Sequence, residues 1–477
     1  MKDTIAAIST ALGESGIAII RISGPDAVNV SGRILTRKVF DEPGRMYLTS
    51  LIDSDGHIID RVLAVHFMKP RSYTAEDVIE IHTHGGMLIA KLCLELALTN
   101  GARLAEPGEF TRRAFINGRI DLSQAEGVLG IIKSRSIEAL RASARTLTGE
   151  LSRKAQEIHD EILALQGSIE IQLDFPEGEM LSNLDVHSGI REIVHELEEL
   201  LSRCSAGMIL RDGIRVVIAG SPNAGKSSLM NAILGKKRAI VTEIAGTTRD
   251  IIDENIIING IPVTLTDTAG LRESNDVIES EGVKLAIEAM HDSDICLYVI
   301  DSSKEISDSE LEYMNEILSH GRRIIIVFSK SDLKTITHDV NIHVSSGKGA
   351  DIDDLKTITH DVNIYVSSGT GAGIDEYECE KISVSSKTGA GIEELKTKIY
   401  EAACNNSSIS EGLNVSVRQL EEIRGSLEAL RECESCHDED VIAGLLNSSR
   451  VSLLRVLGVN ADDELLDSMF SSFCVGK

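Results

Sequence analysis

Aromatic residues and positive charge are both scarce in this chain. Its 477 residues include no tryptophan, and aromatic residues make up only 3% of the sequence. Extensive base-stacking platforms, on which many proteins bind single-stranded nucleic acid, are therefore not expected. Lys and Arg number 48 against 75 Asp and Glu, a formal net charge of -27. A general binder of phosphate backbones should be basic, so any contact with nucleic acid must be local or come through a partner.

Long apolar runs and an export signal are missing as well. No apolar stretch of the sequence is long enough to span a bilayer, and the first residues show no basic, apolar and small-residue pattern. We therefore expect no membrane association and a cytoplasmic location with reduced thiols. The eight cysteines are scattered, at Cys93, Cys204, Cys296, Cys379, Cys404, Cys433, Cys436 and Cys474.

Length and residue pattern predict a multidomain protein of α+β and α/β parts. Residues 1–118 mix short β-like runs with turns, which predicts an N-terminal α+β domain. Residues 119–211 and 401–477 carry the periodic Leu and Ile of helices, with one long helix expected over 134–174. Residues 212–400 alternate strand and helix signals, as a mostly parallel sheet domain does. The simplest architecture inserts this α/β domain between two halves of a discontinuous helical domain.

One internal repeat interrupts the α/β segment. Residues 333–342 recur unchanged at 355–364, and a third, partial copy occupies 382–396. Stacked solenoids need several such units, so two near-identical copies favour a tandem duplication within a loop. We expect residues 333–375 to be partly disordered or poorly packed.

The most informative stretch is residues 220–227, GSPNAGKS, which fits the phosphate-binding P-loop pattern. An apolar run at 214–219 predicts a strand before it, and residues 228–234 have helical spacing. Backbone N–H groups of such a loop surround phosphate oxygens at the helix N-terminus. Lys226 is expected to reach the terminal phosphates, and the Ser227 hydroxyl to bind magnesium. The predicted contacts are Asn223, Ala224, Gly225, Lys226, Ser227 and Ser228.

Two later motifs are typical of nucleotide-dependent switches. Residues 244–250, IAGTTRD, lie in the place of a switch loop, and Thr248 is the candidate second hydroxyl on magnesium. Residues 267–270, DTAG, follow an apolar strand, and Asp267 is expected to hold magnesium through water. The nucleotide- and ion-binding residues predicted around these motifs are Thr242, Glu243, Ile244, Ala245, Gly246, Thr247, Thr248, Asp267, Thr268, Ala269 and Gly270.

A second pair of motifs predicts selection of guanine. In residues 328–332, FSKSD, the Asp332 carboxylate can accept the N1–H and amine protons of guanine. Adenine has no matching donor pair, so the predicted ligands are GTP and GDP. Ser329 stands where Asn is usual; serine makes fewer bonds, so lower affinity is expected. Residues 385–387, SSK, match the loop that covers the base. The predicted base contacts are Lys330, Asp332, Ser385, Ser386 and Lys387. The P-loop and these four later motifs, in this order, predict a Ras-like P-loop GTPase domain.

Hydrolysis needs a group that orients water. Ras-type enzymes carry Gln after the DxxG motif, but this chain has Leu271 there. Glu273, Glu279 and Glu281 follow, and each can position water or simply be a solvated residue at a helix start. Asn223 has two interpretations as well. Its amide oxygen can ligate a monovalent cation beside the phosphates, or the residue serves only to form a turn after proline.

Four signatures lie towards the two ends of the sequence. They are residues 3–6 (DTIA) with 21–24 (RISG), 73–80 (YTAEDVIE) with 84–86 (HGG), 107–115 (PGEFTRRAF) and 473–477 (FCVGK). Together with the central motifs, these signatures resemble the bacterial-type tRNA modification GTPases of the MnmE (TrmE) family. Other small GTPases share the central motifs but neither end.

The resemblance implies roles for residues near the P-loop. Asn223 corresponds to the family's potassium ligand, which favours the cation interpretation of this residue. Glu279 corresponds to the glutamate that acts as catalytic base through water. Lys226 is the other catalytic residue expected here, through its contact with the phosphates. The potassium ligands implied by the resemblance are Asn223, Thr242, Ile244 and Thr247.

The resemblance also implies a second site, in the N-terminal domain. Arg21, Glu80 and Arg119 fall where the family binds 5-formyl- or methylene-tetrahydrofolate, with Arg119 in place of a more usual lysine. Cys474 matches the family's C-terminal cysteine, which is implicated in the modification chemistry. The alternative for Cys474 is a buried structural thiol.

The function implied is potassium-stimulated GTP hydrolysis that drives a conformational switch. That switch would support modification of the wobble uridine of certain tRNAs at carbon five, of the carboxymethylaminomethyl or aminomethyl type, with folate as the one-carbon donor. The resemblance implies a homodimer formed through the N-terminal domain and an FAD- and NADH-dependent partner of the MnmG (GidA) type, in a heterotetramer. The rival hypothesis is a GTPase switch for ribosome or RNA assembly without modification chemistry. The folate-site residues and the FCVGK end favour the first.

Overall fold

A computed structural model of the chain contains two compact units, each described here by itself. The first comprises residues 1–132, 143–201 and 415–477, and the second comprises 133–142 and 202–414. The structure describes residues 3–37, 42–174, 186–235, 253–267, 289–306, 323–333, 339–345, 361–367, 380–404, 409–459 and 461–476.

The described residues form fourteen strands and twelve helices. The strands are β1 (Ile5–Ile8), β2 (Ser15–Ser23), β3 (Met46–Ile52), β4 (Ile58–Phe67), β5 (Val78–Gly85), β6 (Arg103–Leu104), β7 (Ile214–Ala219), β8 (Asp253–Ile258), β9 (Ile261–Asp267), β10 (Ile295–Asp301), β11 (Ile324–Ser329), β12 (Asp339–Ser345), β13 (Asp361–Ser367) and β14 (Glu380–Ser383). The helices are α1 (Ala27–Ile34), α2 (Met87–Thr99), α3 (Glu109–Ile116), α4 (Leu122–Lys133), α5 (Ile137–Leu147), α6 (Glu150–Asp174), α7 (Val186–Asp212), α8 (Lys226–Leu234), α9 (Ile392–Cys404), α10 (Val417–Ser435), α11 (Glu439–Val456) and α12 (Asp463–Ser471).

The N-terminal part of the first unit is a six-stranded sheet in the order β3-β4-β5-β2-β1-β6. Neighbouring strands of this sheet pair antiparallel, except for β1 and β6, which pair in parallel. Apolar residues alternate along β2 and β5, so that Ile20, Ile22, Ile79 and Ile81 are buried in one core with residues of α1 and α2. The residues between them therefore point to the opposite face of the sheet, where a polar site can form.

The helical part of the first unit is built from two separate stretches of chain. The buried Ser123 hydroxyl in α4 donates to the carbonyl of Val456, 3.0 Å away, at the end of α11. The Gln419 amide in α10 donates to the same hydroxyl at 2.8 Å. These buried bonds join residues almost 300 positions or more apart in the sequence. The prediction of a discontinuous helical domain is confirmed.

The prediction of one continuous helix over 134–174 is wrong. The structure has two helices there, α5 and α6, separated at Gly149. Gly149 has φ 82°, in the left-handed region that ends helices. A side chain there would also crowd the Gln124 amide of α4 at 3.1 Å. The periodicity of Leu and Ile continues through the break, which is why the pattern alone predicts a single helix.

The second unit contains the predicted α/β sheet. Its strand order is β14-β11-β10-β7-β9-β8, parallel throughout except for β8, which pairs antiparallel with β9. The apolar runs of β7 and β10 are buried almost completely, as expected for central strands covered on both faces. The predicted fold class, an N-terminal α+β domain, a discontinuous helical domain and an inserted Ras-like GTPase domain, is confirmed. The domain boundaries predicted above stay predictions.

The duplicated segment contributes two strands outside that main sheet. Strands β12 and β13, which differ only at His343 and Tyr365, pair with each other in parallel, Asp339 opposite Asp361 and Ser345 opposite Ser367. Most of the remainder of residues 333–375 lies outside the described residues, so the expectation of poor packing stays untested there. Within the described part of the chain, no helix combines the length and apolar character needed to cross a membrane.

Candidate functional site

The carboxyl ends of the parallel strands of the second unit place the predicted nucleotide residues along one edge of the sheet. Residues 220–227 follow β7, and Asp267 ends the neighbouring β9. On the other side, Asp301 ends β10 and lies in register with Ser329, the last residue of β11. Ser385 comes two residues after β14. Ligands of open α/β sheets bind at this edge, so the fold brings the separate motifs together.

The P-loop has the backbone conformation of a phosphate cradle. Gly220, Asn223 and Gly225 have φ values of 141°, 63° and 102°, all in the region that favours glycine. A side chain at Gly220 would also collide with the carbonyl of Val299 in β10. Helix α8 begins directly after Gly225, so its unpaired N–H groups point into the loop.

Lys226 is held inside the curve of this loop. Its side chain is nearly buried, and Nζ donates to the carbonyl oxygens of Gly220 at 2.8 Å and Ser221 at 3.0 Å. An ammonium group held at a helix N-terminus gives the cradle a positive charge where phosphate oxygens would lie. Of the other predicted contacts, Ala224 is buried within the loop and Ser228 is exposed on α8.

The predicted magnesium ligands of the P-loop and the DTAG motif lie together. The Ser227 hydroxyl donates to Oδ2 of Asp267 over 2.7 Å. A hydroxyl and a carboxylate are the hard oxygen ligands that Mg²⁺ prefers, and one or two protein oxygens beside the phosphates are its usual share. The donor set therefore fits magnesium.

Two residues of the predicted guanine site, Asp332 and Ser385, also meet. Asp332 is exposed, and its Oδ1 accepts a 2.7 Å hydrogen bond from the buried Ser385 hydroxyl. That bond, only partly offset by slight desolvation, lowers the pKa of Asp332 below its ordinary value. The carboxylate therefore stays ionised and acceptor-only at neutral pH, as recognition of N1–H and an amine requires. Ser386 is half-buried and Lys387 exposed in the same loop.

Lys330 links residues 328–332, called the base loop below, to the P-loop. Its Nζ forms a 2.6 Å ion pair with Asp301 and donates to the Asn223 carbonyl at 3.0 Å. Lys330 and Asn223 both have positive φ, 59° and 63°. Non-glycine residues in this conformation are strained and cluster at functional sites. Asn223 is exposed, and its side-chain amide forms no hydrogen bond with any described residue.

A second cluster lies on the polar face of the N-terminal sheet. Arg21 in β2 and Glu80 in β5 are directly opposite in register and form a 2.8 Å ion pair. The Arg21 guanidinium also lies over the rings of Tyr73 and Phe110, at 5.4 and 5.6 Å from their centroids. Arg119 follows α3 with an exposed side chain, and among the described residues it makes no hydrogen bond to the other two. The fold thus joins two of the three predicted folate residues.

The C-terminus is bound to the same sheet. The Gly476 carbonyl accepts hydrogen bonds from the Ser9 hydroxyl at 3.1 Å and from Arg21 at 3.3 Å. The Cys474 carbonyl accepts a weaker bond from the Gly108 N–H at 3.4 Å. The Cys474 side chain itself is exposed. This exposure argues against the alternative of a buried structural thiol.

Comparisons with known proteins match the whole chain. The family model described as "GTP-binding protein TrmE N-terminus" matches residues 4–119, and "MnmE helical domain" matches residues 122–474. The proteins named "tRNA modification GTPase MnmE" from Geobacter sulfurreducens and Carboxydothermus hydrogenoformans are each 37% identical over all of this chain and all of their own length. The chain belongs to the MnmE family. The solved G domain of the FeoB iron transporter from T. maritima is 26% identical over 40% of this chain and 98% of its own, with a TM-score of 0.24.

For this MnmE-family chain, several predicted site residues cannot be placed. They lie outside the described residues, so their predicted roles stay predictions. They are Thr242, Glu243, Ile244, Ala245, Gly246, Thr247, Thr248, Thr268, Ala269, Gly270 and Glu279.

Sequence reasoning missed Asp301 in this MnmE-family chain. Burial raises the pKa of the Asp301 carboxyl, but hydrogen bonds from Lys330 and Ser303 outweigh that effect, so the net pKa lies below its ordinary value. The ionised Asp301 neutralises Lys330 and holds it in its strained conformation. A signal was available, because a carboxylate at the carboxyl end of the strand beside the P-loop strand belongs to the ligand edge of the sheet.

Proposed function

We propose that this chain hydrolyses GTP in a potassium-stimulated reaction and takes part in modification of the wobble uridine of certain tRNAs at carbon five. The observation that carries the GTPase part is the convergence of Lys226, Ser227 with Asp267, and Asp332 with Ser385 along one sheet edge. Phosphate, magnesium and guanine each have a matching group there. Family membership over the full length carries the tRNA part, since the relatives are named tRNA modification GTPases.

The residues divide the work of hydrolysis among them. Lys226 and the N–H groups at the start of α8 hold the terminal phosphates. Ser227 and Asp267, with Thr248, would hold Mg²⁺, which when bound neutralises charge that develops on the phosphates. Asn223, with Thr242, Ile244 and Thr247, would hold K⁺. Glu279 orients the attacking water in place of the glutamine that Leu271 replaces.

The N-terminal cluster is proposed to bind the folate one-carbon donor. Arg21, Glu80 and Arg119 would hold 5-formyl- or methylene-tetrahydrofolate, with Tyr73 and Phe110 offering ring faces beside Arg21. Cys474 is exposed on the tail that docks on the same sheet, where it is available to the modification chemistry. The chain would work as a homodimer with an FAD-dependent partner of the MnmG type and with tRNA as the substrate. An assembly switch without modification chemistry gives this cluster no role.

GTP turnover in potassium and in sodium tests the proposed hydrolysis. With the full chain and Mg²⁺, we expect turnover to be about tenfold or more faster in KCl than in NaCl at equal ionic strength, because K⁺ supplies positive charge beside the phosphates. The variant Asn223→Gly keeps the left-handed backbone but removes the amide oxygen. We expect it to turn over GTP at the slow rate in both salts.

The matched control is Asn231→Ala, which removes an exposed amide from α8, away from the loop. It should retain the wild-type ratio of the two rates. Equal wild-type rates in potassium and sodium would remove Asn223 as a cation ligand. No GTP turnover in either salt, with GDP affinity measured alongside, would contradict the proposed hydrolysis itself.

A further inference from the structure

Ser329 is the residue at which this chain departs from the usual guanine-binding motif, and its hydroxyl points into the protein. Its side chain is buried at the end of β11. The hydroxyl donates to the Ala224 carbonyl of the P-loop at 2.5 Å and lies 3.1 Å from the Ile300 carbonyl. A serine hydroxyl carries one proton, which these two acceptors share. Ser329 therefore connects the base loop to the P-loop by a hydrogen bond, and its hydroxyl has no proton left to donate to a ligand.

The backbone of Ser329 is engaged on the same side. Its carbonyl accepts from the Ser302 N–H at 3.2 Å and from the Ser302 hydroxyl at 2.6 Å. Lys330, the next residue, directs its ammonium to Asp301 and the Asn223 carbonyl. The last residue of β11 and the residue after it, Ser329 and Lys330, are thus committed to contacts within the protein.

The positions of the donors and acceptors on guanine show which contact the Ser329 side chain cannot make. Guanine presents N1–H and an amine on one edge and the acceptors O6 and N7 on another. Asp332 suits the first edge, and the P-loop fixes the phosphate end of the nucleotide. N7 lies in the ring that bears the sugar, between these two anchors, and the contact of Ser329 with the P-loop carbonyl of Ala224 puts residue 329 between the same two anchors. An asparagine amide at 329 carries two protons, one for the Ala224 carbonyl and one for the base, but serine carries a single one.

We propose that Ser329 leaves N7 of the bound guanine without a protein donor, so that the site accepts 7-deazaguanine nucleotides as readily as guanine nucleotides. Asp332 then selects the base through the N1–H and the amine, and N7 does not contribute to the selection. This inference rests on the proposed binding of guanine nucleotides and makes Ser329 a specificity-determining residue.

Calorimetric titration of the full chain with GDP and with 7-deaza-GDP, in the same magnesium and potassium buffer, tests the inference. For the wild type we expect the two dissociation constants to agree within about twofold. For Ser329→Asn we expect GDP to bind about three- to tenfold more tightly, the usual effect of one added hydrogen bond, with 7-deaza-GDP unchanged. The wild-type comparison needs no variant, so a poorly folding Ser329→Asn protein would not remove the test.

The neighbouring hydroxyl provides the control. Ser331 is half-buried in the same loop, and Ser331→Ala should change neither dissociation constant. If Ser331→Ala weakens GDP but not 7-deaza-GDP, Ser331 reads N7 and the inference is wrong. Wild-type binding of 7-deaza-GDP more than about fivefold weaker than that of GDP would overturn it as well. Failure of both nucleotides to bind would contradict the proposed function together with this inference, whereas discrimination between them would contradict this inference alone.

Discussion

Replacing Asp332 by asparagine is expected to convert the site from guanine to xanthine. The carboxylate is acceptor-only and suits the N1–H and amine of guanine, whereas an amide offers one acceptor and one donor. Xanthine carries a carbonyl where guanine has the amine, so it matches the amide. We expect the dissociation constant of GDP to rise at least about 100-fold and that of XDP to fall to near the wild-type GDP value, because unpaired polar groups in a binding site are costly.

A carboxylate-to-amide change elsewhere in the same unit controls for nonspecific effects. Glu393→Gln, at the start of α9, removes a charge that pairs with Lys396 across one helical turn. This variant should bind GDP with the wild-type affinity and should bind XDP as weakly as the wild type does. If Asp332→Asn binds GDP with unchanged affinity, the guanine selection lies in another residue and the assignment of the base loop is wrong.

Replacing Lys226 by alanine is expected to remove hydrolysis almost completely. The nearly buried ammonium is held by the Gly220 and Ser221 carbonyls, so it is positioned before any phosphate arrives. Fixed positive groups of this kind stabilise developing charge without reorganisation. We expect kcat/KM for GTP to fall at least about 100-fold, measured by phosphate release.

Lys396→Ala is the matched control, since Lys396 lies on α9 in an ion pair with Glu393. Its kcat/KM should stay within about twofold of the wild type, as expected for loss of a surface ion pair. Circular dichroism of both variants checks that the fold is intact. A Lys226→Ala protein that folds and retains wild-type turnover would show that the phosphates are held by other groups.

The parts of this molecule that the sequence predicts well are those encoded locally. The P-loop needs fixed spacing within eight residues, so GSPNAGKS predicts both the loop and its strand and helix. The apolar runs of β7, β10 and β11 likewise predict buried parallel strands. Local periodicity fails where tertiary geometry decides, as at Gly149, whose left-handed turn separates α5 from α6.

Contacts between distant residues could not be predicted from the sequence. Asp301 meets Lys330 because β10 and β11 pair in one register, and a shift by one residue would turn the side chain away. The Gly476 carbonyl meets Arg21 although 455 positions separate them. The Ser329 hydroxyl likewise meets the carbonyl of Ala224, a residue far away in the sequence. From the sequence, Ser329 is interpreted as a substitute for asparagine that makes fewer bonds to the base, whereas the structure shows it as a link between two loops.

The central claim is that the GTPase site serves tRNA modification, and nucleoside analysis of tRNA tests it most directly. The modified wobble uridines would be measured by mass spectrometry in a strain that lacks this chain and in the same strain supplied with the wild type or with Lys226→Ala. We expect the carbon-five modification to disappear without the chain, to return with the wild type and to stay absent with Lys226→Ala. Unaltered wobble uridine in the strain that lacks the chain would contradict the account.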